Sequence, residues 1–200
     1  MRGPERSPPA FDIIAIAASA GGVNALTRLL GSLPANLGAI VVIVQHVDPH
    51  HRSLMPQVIG RQSRLPVVHA EEGALLEVDH VYLAPPDHHM LIKRKGILTL
   101  TDTELVNFVR PSADLLFESV AAAYGEHAIA VVLTGSGHDG ALGVTAVKQR
   151  GGTVVAQDEA SSEFFGMPSA AIKTGAVDYV LPLEEIASKL VTLTATGALN

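Results

Sequence analysis

Residues 12–30 read DIIAIAASAGGVNALTRLL, and this stretch decides the fold. DIIAIA at 12–17 is a short apolar run with almost no polar alternation, the pattern of a strand buried on both faces. Ala18-Ser19-Ala20-Gly21-Gly22 follows, a cluster of small residues that lets the chain turn sharply. From 22 to 30 the apolar residues Val23, Leu26, Leu29 and Leu30 fall on one helical face. Strand, tight turn and helix together make the opening half of a βαβ unit.

The same alternation continues outward. Ile- and Val-rich runs recur at 40–45 (IVVIVQ), 80–84 (HVYLA), 129–134 (IAVVLT), 153–156 (TVVA) and 177–181 (VDYVL). Helical patterns lie between or after them at 112–124, 141–150 and 183–193. The first carries Leu115, Leu116, Val120 and Ala123, with Ser112 placed to cap it. Right-handed crossovers then predict an α/β fold: a doubly wound, mainly parallel sheet with helices on both faces. One segment departs from this. MLIKRKGILTLT at 90–101 predicts a small antiparallel hairpin turning at Lys95-Gly96. Residues 1–10 hold three prolines and three charges and predict a flexible tail or linker stub, followed by one domain over 11–194 and a short C-terminal tail at 195–200.

Composition narrows the function. The chain has 200 residues and no cysteine. That excludes disulfides, thiol nucleophiles and thiolate metal sites. The net charge of -6, without a basic tract, argues against nucleic acid as a partner. No apolar run reaches the roughly 18 residues of a membrane span, and the N-terminus lacks the apolar core of a signal peptide. The expectation is a cytoplasmic protein with no direct membrane insertion.

In a doubly wound sheet, sites form beyond the carboxyl ends of the strands. Three polar residues follow directly on apolar runs there. Ser19 sits between Ala17 and Gly21, the small-x-Ser-x-small pattern of a nucleophile elbow. His46 ends the second run, where an imidazole can serve as a general base. Asp139 follows the fourth run in Thr134-Gly-Ser-Gly-His-Asp139-Gly-Ala141. It is expected at the N-terminus of the helix at 141–150, where an ionised carboxylate is stabilised and can orient an imidazole. Each has a plainer use: Ser19 or Asp139 as a helix cap, His46 as a structural histidine. Together, Ser, His and Asp at one sheet edge suit a hydrolytic triad, whose chain order is free.

Two rival chemistries use the same stretches. Gly135-x-Gly137-x-x-Gly140 matches the dinucleotide fingerprint, with Asp158 after the next strand where a ribose-binding acid would sit. Only 60 residues follow Gly140, too few for the sheet such a fold places after its fingerprint. His46, Asp48, His50 and His51, with His88 and His89 further on, offer metal ligands. Pro49 and the lack of a clear second cluster weigh against them.

At this point the chain resembles the catalytic domain of the chemotaxis protein-glutamate methylesterases, the CheB family. The resemblance covers roughly 12–193 and rests on ordered blocks: IAIAASAGGVNAL around Ser19, VIVQHVDP around His46, VYLAPPDHHM at 81–90, RPSADLLFESVA at 110–121, VVLTGSGHDGALG at 131–143, and the long block at 154–186. It implies that 11–194 is a methylesterase catalytic domain. Ser19 would be its nucleophile, His46 its base and Asp139 its orienting acid, with neither cofactor nor metal. The implied reaction is hydrolysis of glutamate γ-methyl esters on the cytoplasmic helical bundle of chemoreceptors, with deamidation of receptor glutamines in some members. The resemblance also assigns the loop at 135–140 to presenting the aspartate. The alternatives are a non-catalytic receptor- or partner-binding module of the same fold and, behind it, a dinucleotide-binding protein using the Gly-rich loop at 135–140.

The chain departs from the family in four places. Ala20 stands where members often carry Thr, and Ser136 where they often carry Met, both near the expected oxyanion region. Val47-Asp48-Pro49 replaces the usual Met-Pro after the histidine. Many members also carry an N-terminal receiver domain, and here ten residues precede the first strand. The chain is therefore expected to be a stand-alone esterase or a piece of a longer protein.

Overall fold

The computed structural model describes residues 13–46 and 54–195. The tail predicted at 1–10, residues 196–200 of the tail predicted at 195–200, and the Val47-Asp48-Pro49 segment with His50 and His51 lie outside the described residues.

Seven strands form one sheet: β1 (Ile13–Ala18), β2 (Ile40–Gln45), β3 (Val67–His69), β4 (Val81–Leu83), β7 (Ala128–Val132), β8 (Thr153–Gln157) and β9 (Tyr179–Leu181). Their order is β3-β4-β2-β1-β7-β8-β9, and every neighbouring pair is parallel. The remaining strands, β5 (His89–Lys93) and β6 (Ile97–Thr101), form the expected antiparallel hairpin. It turns through Lys95 and Gly96, both at positive φ.

All six residues of β1 are buried, and their alternation divides the core. Ile13, Ala15 and Ala17 face the layer of α3 (Ala113–Tyr124) and α4 (Ala141–Gln149), packing in one cluster with Phe117, Val120, Val144 and Val147. Met90, Ile92 and Leu98 of the hairpin join that cluster. Ile14, Ile16 and Ala18 belong to the opposite cluster, with Leu26, Leu29 and Leu30 of α1 (Gly22–Ser32) and Ile186 and Leu190 of α6 (Leu183–Ala195). Burial on both faces is why the strands read as continuous apolar runs.

The sequence patterns did not announce three elements. Strand β3 and helix α2 (Met55–Ile59) are too short to show a period. Helix α5 (Gly166–Lys173) carries Pro168 in its first turn, a place where the missing N–H costs little.

Helices α3 and α4 cross closely at Gly143. A Cβ there would lie 2.6 Å from Phe117 Cβ and 3.0 Å from the Asp114 Cα and carbonyl oxygen. Neither backbone nor the ring root can yield without shifting a helix. Gly143→Ala is therefore expected to destabilise the protein by about 1–3 kcal/mol. A urea midpoint equal to wild type would show that the helices do not pack as described.

Two runs of strands leave the centre in opposite directions: β2 and β4 to one side, β7 and β8 to the other. The connections reverse between β1 and β7, which is where open α/β sheets leave a crevice for a site.

Candidate active site

Ser19 follows β1, His46 follows β2, and Asp139 lies in the loop between β7 and α4. Ala18 pairs with Gln45 in the ladder, and the His46 N–H donates to Ala18 O at 3.1 Å. Ser19 and His46 thus leave the sheet side by side. Gln45, the polar end of an otherwise apolar strand, ties them together. Its buried Nε2 donates to both the Ser19 and the His46 carbonyls at 2.9 Å.

The other side of Ser19 is fixed to the loop after β7. Its N–H donates to Thr134 O at 3.0 Å. The Thr134 hydroxyl donates to Ala20 O at 3.0 Å and accepts from the Phe164 N–H at 2.8 Å. Gln157, at the end of β8, accepts from the Thr134 N–H at 2.8 Å. A Cβ on Gly135 would come within 2.9 Å of Ser19 Cβ and strike the Met167 sulfur. The loop therefore needs glycine there to approach the serine so closely.

Asp139 is buried, and its carboxylate is saturated with donors. Oδ2 receives His46 Nε2 at 3.0 Å and the Ala113 N–H at 2.6 Å. Oδ1 receives the Ser112 hydroxyl at 2.8 Å, Asn107 Nδ2 at 3.1 Å and the Asp114 N–H at 3.4 Å. Burial alone would favour the neutral acid. The bonds from His46, Ala113, Asn107 and Ser112 outweigh it and hold the carboxyl below the ordinary aspartate range. An ionised Asp139 can only accept, so His46 carries its proton on Nε2 and presents a bare Nδ1. In the usual triad the aspartate takes the other ring nitrogen.

Asp139 stands at the N-terminus of α4, directly before the N-cap Gly140, but its carboxylate caps α3 instead of its own helix, through the N–H groups of Ala113 and Asp114. Gly140, at φ 97 with a left-handed backbone, begins α4 without a side-chain cap. Ser112 does stand at the N-cap of α3, yet its side chain caps no helical N–H. Its hydroxyl is spent on Asp139. Likewise Gly21, not Ser19, is the N-cap of α1. Among the described residues the Ser19 hydroxyl makes no hydrogen bond, and the N–H groups of Ala20, Gly21 and Ser136 have no partner.

The rival residues are engaged elsewhere. The Asp158 carboxylate accepts from the Ser161 N–H at 2.9 Å and its hydroxyl at 2.6 Å, closing its own loop. The Gly135 N–H and carbonyl bond to Phe164 and Met167. His89 is fully buried, with Nδ1 accepting from the Ser112 N–H and Nε2 facing Glu104 O. His88 faces Pro86 O. Among the described residues no three His, Asp or Glu side chains converge as a metal site. No helix there is long and apolar enough to cross a membrane.

Sequence reasoning missed Asn107, Asp114 and the strap made by Gln45. Only Gln45 left a signal, as the polar residue that closes the apolar run at 40–45.

The CheB methylesterase family model matches residues 14–190. The protein-glutamate methylesterase/protein-glutamine glutaminase of Pyrococcus abyssi (strain GE5 / Orsay) is 42% identical over 188 residues, covering 92% of this chain and 51% of that protein. The protein-glutamate methylesterase/protein-glutamine glutaminase 2 of Burkholderia lata is 43% identical over 189 residues, covering 94% of this chain and 55% of that protein. The chain thus spans about half the length of the curated relatives it matches. The crystal structure of the Thermotoga maritima CheB methylesterase catalytic domain superposes with a TM-score of 0.88 at 38% identity, covering 92% of this chain and 98% of that one.

Proposed function

The chain belongs to the CheB methylesterase family, and from that premise we propose that it is a serine hydrolase of glutamate γ-methyl esters. Its substrate is the cytoplasmic helical region of methylated chemoreceptors. The observation that carries this reading is the bond from His46 Nε2 to a buried, ionised Asp139, beside the strand end that bears Ser19.

Ser19 Oγ attacks the ester carbonyl and gives its proton to His46 Nδ1. Free enzymes often leave this contact open and close it with substrate. The N–H groups of Ala20, Gly21 and Ser136, which have no partner among the described residues, are the donors assigned here to the developing oxyanion. Two such donors suffice to stabilise it. Imidazolium, steadied by Asp139, then protonates the departing methoxide, and methanol leaves. Water, deprotonated by His46, cleaves the acyl-serine and regenerates the hydroxyl. A glutamine side chain passes through the same acyl-serine and releases ammonia. That agrees with the second activity in the relatives' names.

The test is methanol release from methylated chemoreceptor membranes, with and without EDTA. Release unchanged by EDTA supports the serine mechanism. Release lost to EDTA would move the chemistry to the histidines of 46–51. Tight binding of the membranes without release would leave a receptor-binding module.

A further inference from the structure

We propose that Asn107 is a positioning residue for the His46–Asp139 pair, and that Asp114 acts on the pair through it. The proposal deepens the esterase reading and rests on it.

One side-chain amide spans two buried carboxylates. Asn107 Nδ2 donates to Asp139 Oδ1 at 3.1 Å and to Asp114 Oδ2 at 2.8 Å. Both carboxylates are nearly sealed, at 4% and 3% exposure. With an acceptor on each side only the NH2 end fits, so the orientation of the amide is settled by chemistry. The other oxygen of Asp114 accepts from the Gly143 N–H at 2.8 Å, which anchors that carboxylate to the start of α4. Burial, together with the Asp139 charge, pushes the Asp114 carboxyl up. Two carboxylates this close repel each other, and an NH2 shared between them offsets the repulsion. It also holds Oδ1, so that Oδ2 stays aimed at His46.

The backbone around Asn107 supports a specific demand for that amide. Asn107 (φ 53) and Phe108 (φ 65) both lie in the left-handed region. The turn is closed by two bonds, Val106 N–H to Val109 O at 3.2 Å and Val109 N–H to Val106 O at 3.0 Å. Asn is at home in such a two-residue turn, but its second place usually belongs to Gly. Phe108 sits there at 93% exposure, so no burial of its ring offsets the strain. The bonds made by Asn107 are what the turn returns for it.

Asn107→Gly removes the amide and keeps the turn, because glycine takes positive φ freely. We expect kcat for methanol release to fall about 10- to 100-fold with KM within about twofold. The downfield proton resonance of the His46 Nε2–H to Asp139 bond should shift. Phe108→Gly relaxes the same backbone, keeps the amide, and should match wild type in both readouts. Asp114→Ala removes the acceptor that holds Asn107 Nδ2 and should lose as much as Asn107→Gly. The double variant should be no worse than either single, because the two act in series. Wild-type kcat with an unmoved resonance in Asn107→Gly would overturn the proposal. So would an equal loss in Phe108→Gly, or multiplied losses in the double variant. If wild type releases no methanol, the esterase reading fails by itself, and the resonance still decides the role of Asn107.

Discussion

Replacing Ser19 by Ala is expected to bring methanol release down to the background rate, a loss of about a millionfold, without loosening the fold. The place of Ser19 is held by its backbone: its N–H on Thr134 O, its carbonyl under Gln45 Nε2. Its hydroxyl makes no bond among the described residues, so removing it orphans no buried partner there. Alanine also respects the close approach of Gly135, where a Cβ would lie only 2.9 Å from Ser19 Cβ; nothing is added where space is short. The melting curve should therefore stay within about 0.5 kcal/mol of wild type. A dead enzyme with an unchanged melt assigns the loss to chemistry. A variant keeping a tenth of the wild-type rate would remove Ser19 as nucleophile, since binding and oxyanion donors alone leave only a small residue of catalysis.

How much of this was legible in the sequence depended on the range of the interactions. Strand β1, the turn at Ser19 and helix α1 are local: a continuous apolar run, a string of small residues and one apolar face. His46 was legible because a polar residue closing an apolar run must sit at the sheet edge. Asp139 was legible as a loop residue at the same edge, but not in what it holds. Its bond to the Ala113 N–H joins residues 26 apart, and no periodicity records which helix a loop carboxylate will reach. Ser112 looked like a cap because the residues after it are helical; the pull of a buried ionised carboxylate on its hydroxyl appears only once α3 and α4 are packed. Asn107 was hidden twice. It lies in a turn whose second residue, Phe108, breaks the usual turn chemistry, and both of its partners come from other elements. Strand β3 is likewise settled by its ladder with β4, not by a pattern of its own.

Asp139→Asn is expected to lower kcat by about 10⁴-fold and, unlike Ser19→Ala, to destabilise the fold. The carboxylate accepts from both directions, so the new NH2 group must face donors either way. With NH2 in the place of Oδ2, it opposes the Ala113 N–H, which in wild type lies 2.6 Å from that oxygen. His46 can then bond only by moving its proton to Nδ1, where it can no longer accept from Ser19. With NH2 in the place of Oδ1, it opposes Asn107 Nδ2 and the Asp114 N–H. His46 then keeps its tautomer but loses the charge that steadies imidazolium. Either arrangement leaves a buried donor unpaired, at a cost of about 1–3 kcal/mol. The pH dependence of stability separates these effects from general damage. The Asp139 carboxyl is held below its unfolded value, so its contribution is complete above the ordinary carboxylate range and is lost as the pH falls towards the folded value. Asp114, raised by burial, works in the opposite sense: it favours the fold where it is protonated and opposes it at neutral pH. Wild type should therefore lose stability to Asp139→Asn most at neutral pH, and the two urea midpoints should converge as the solution is acidified below about pH 4. A constant gap at every pH would mean that Asp139 is not held as an ion, and wild-type turnover in the variant would remove it from the triad.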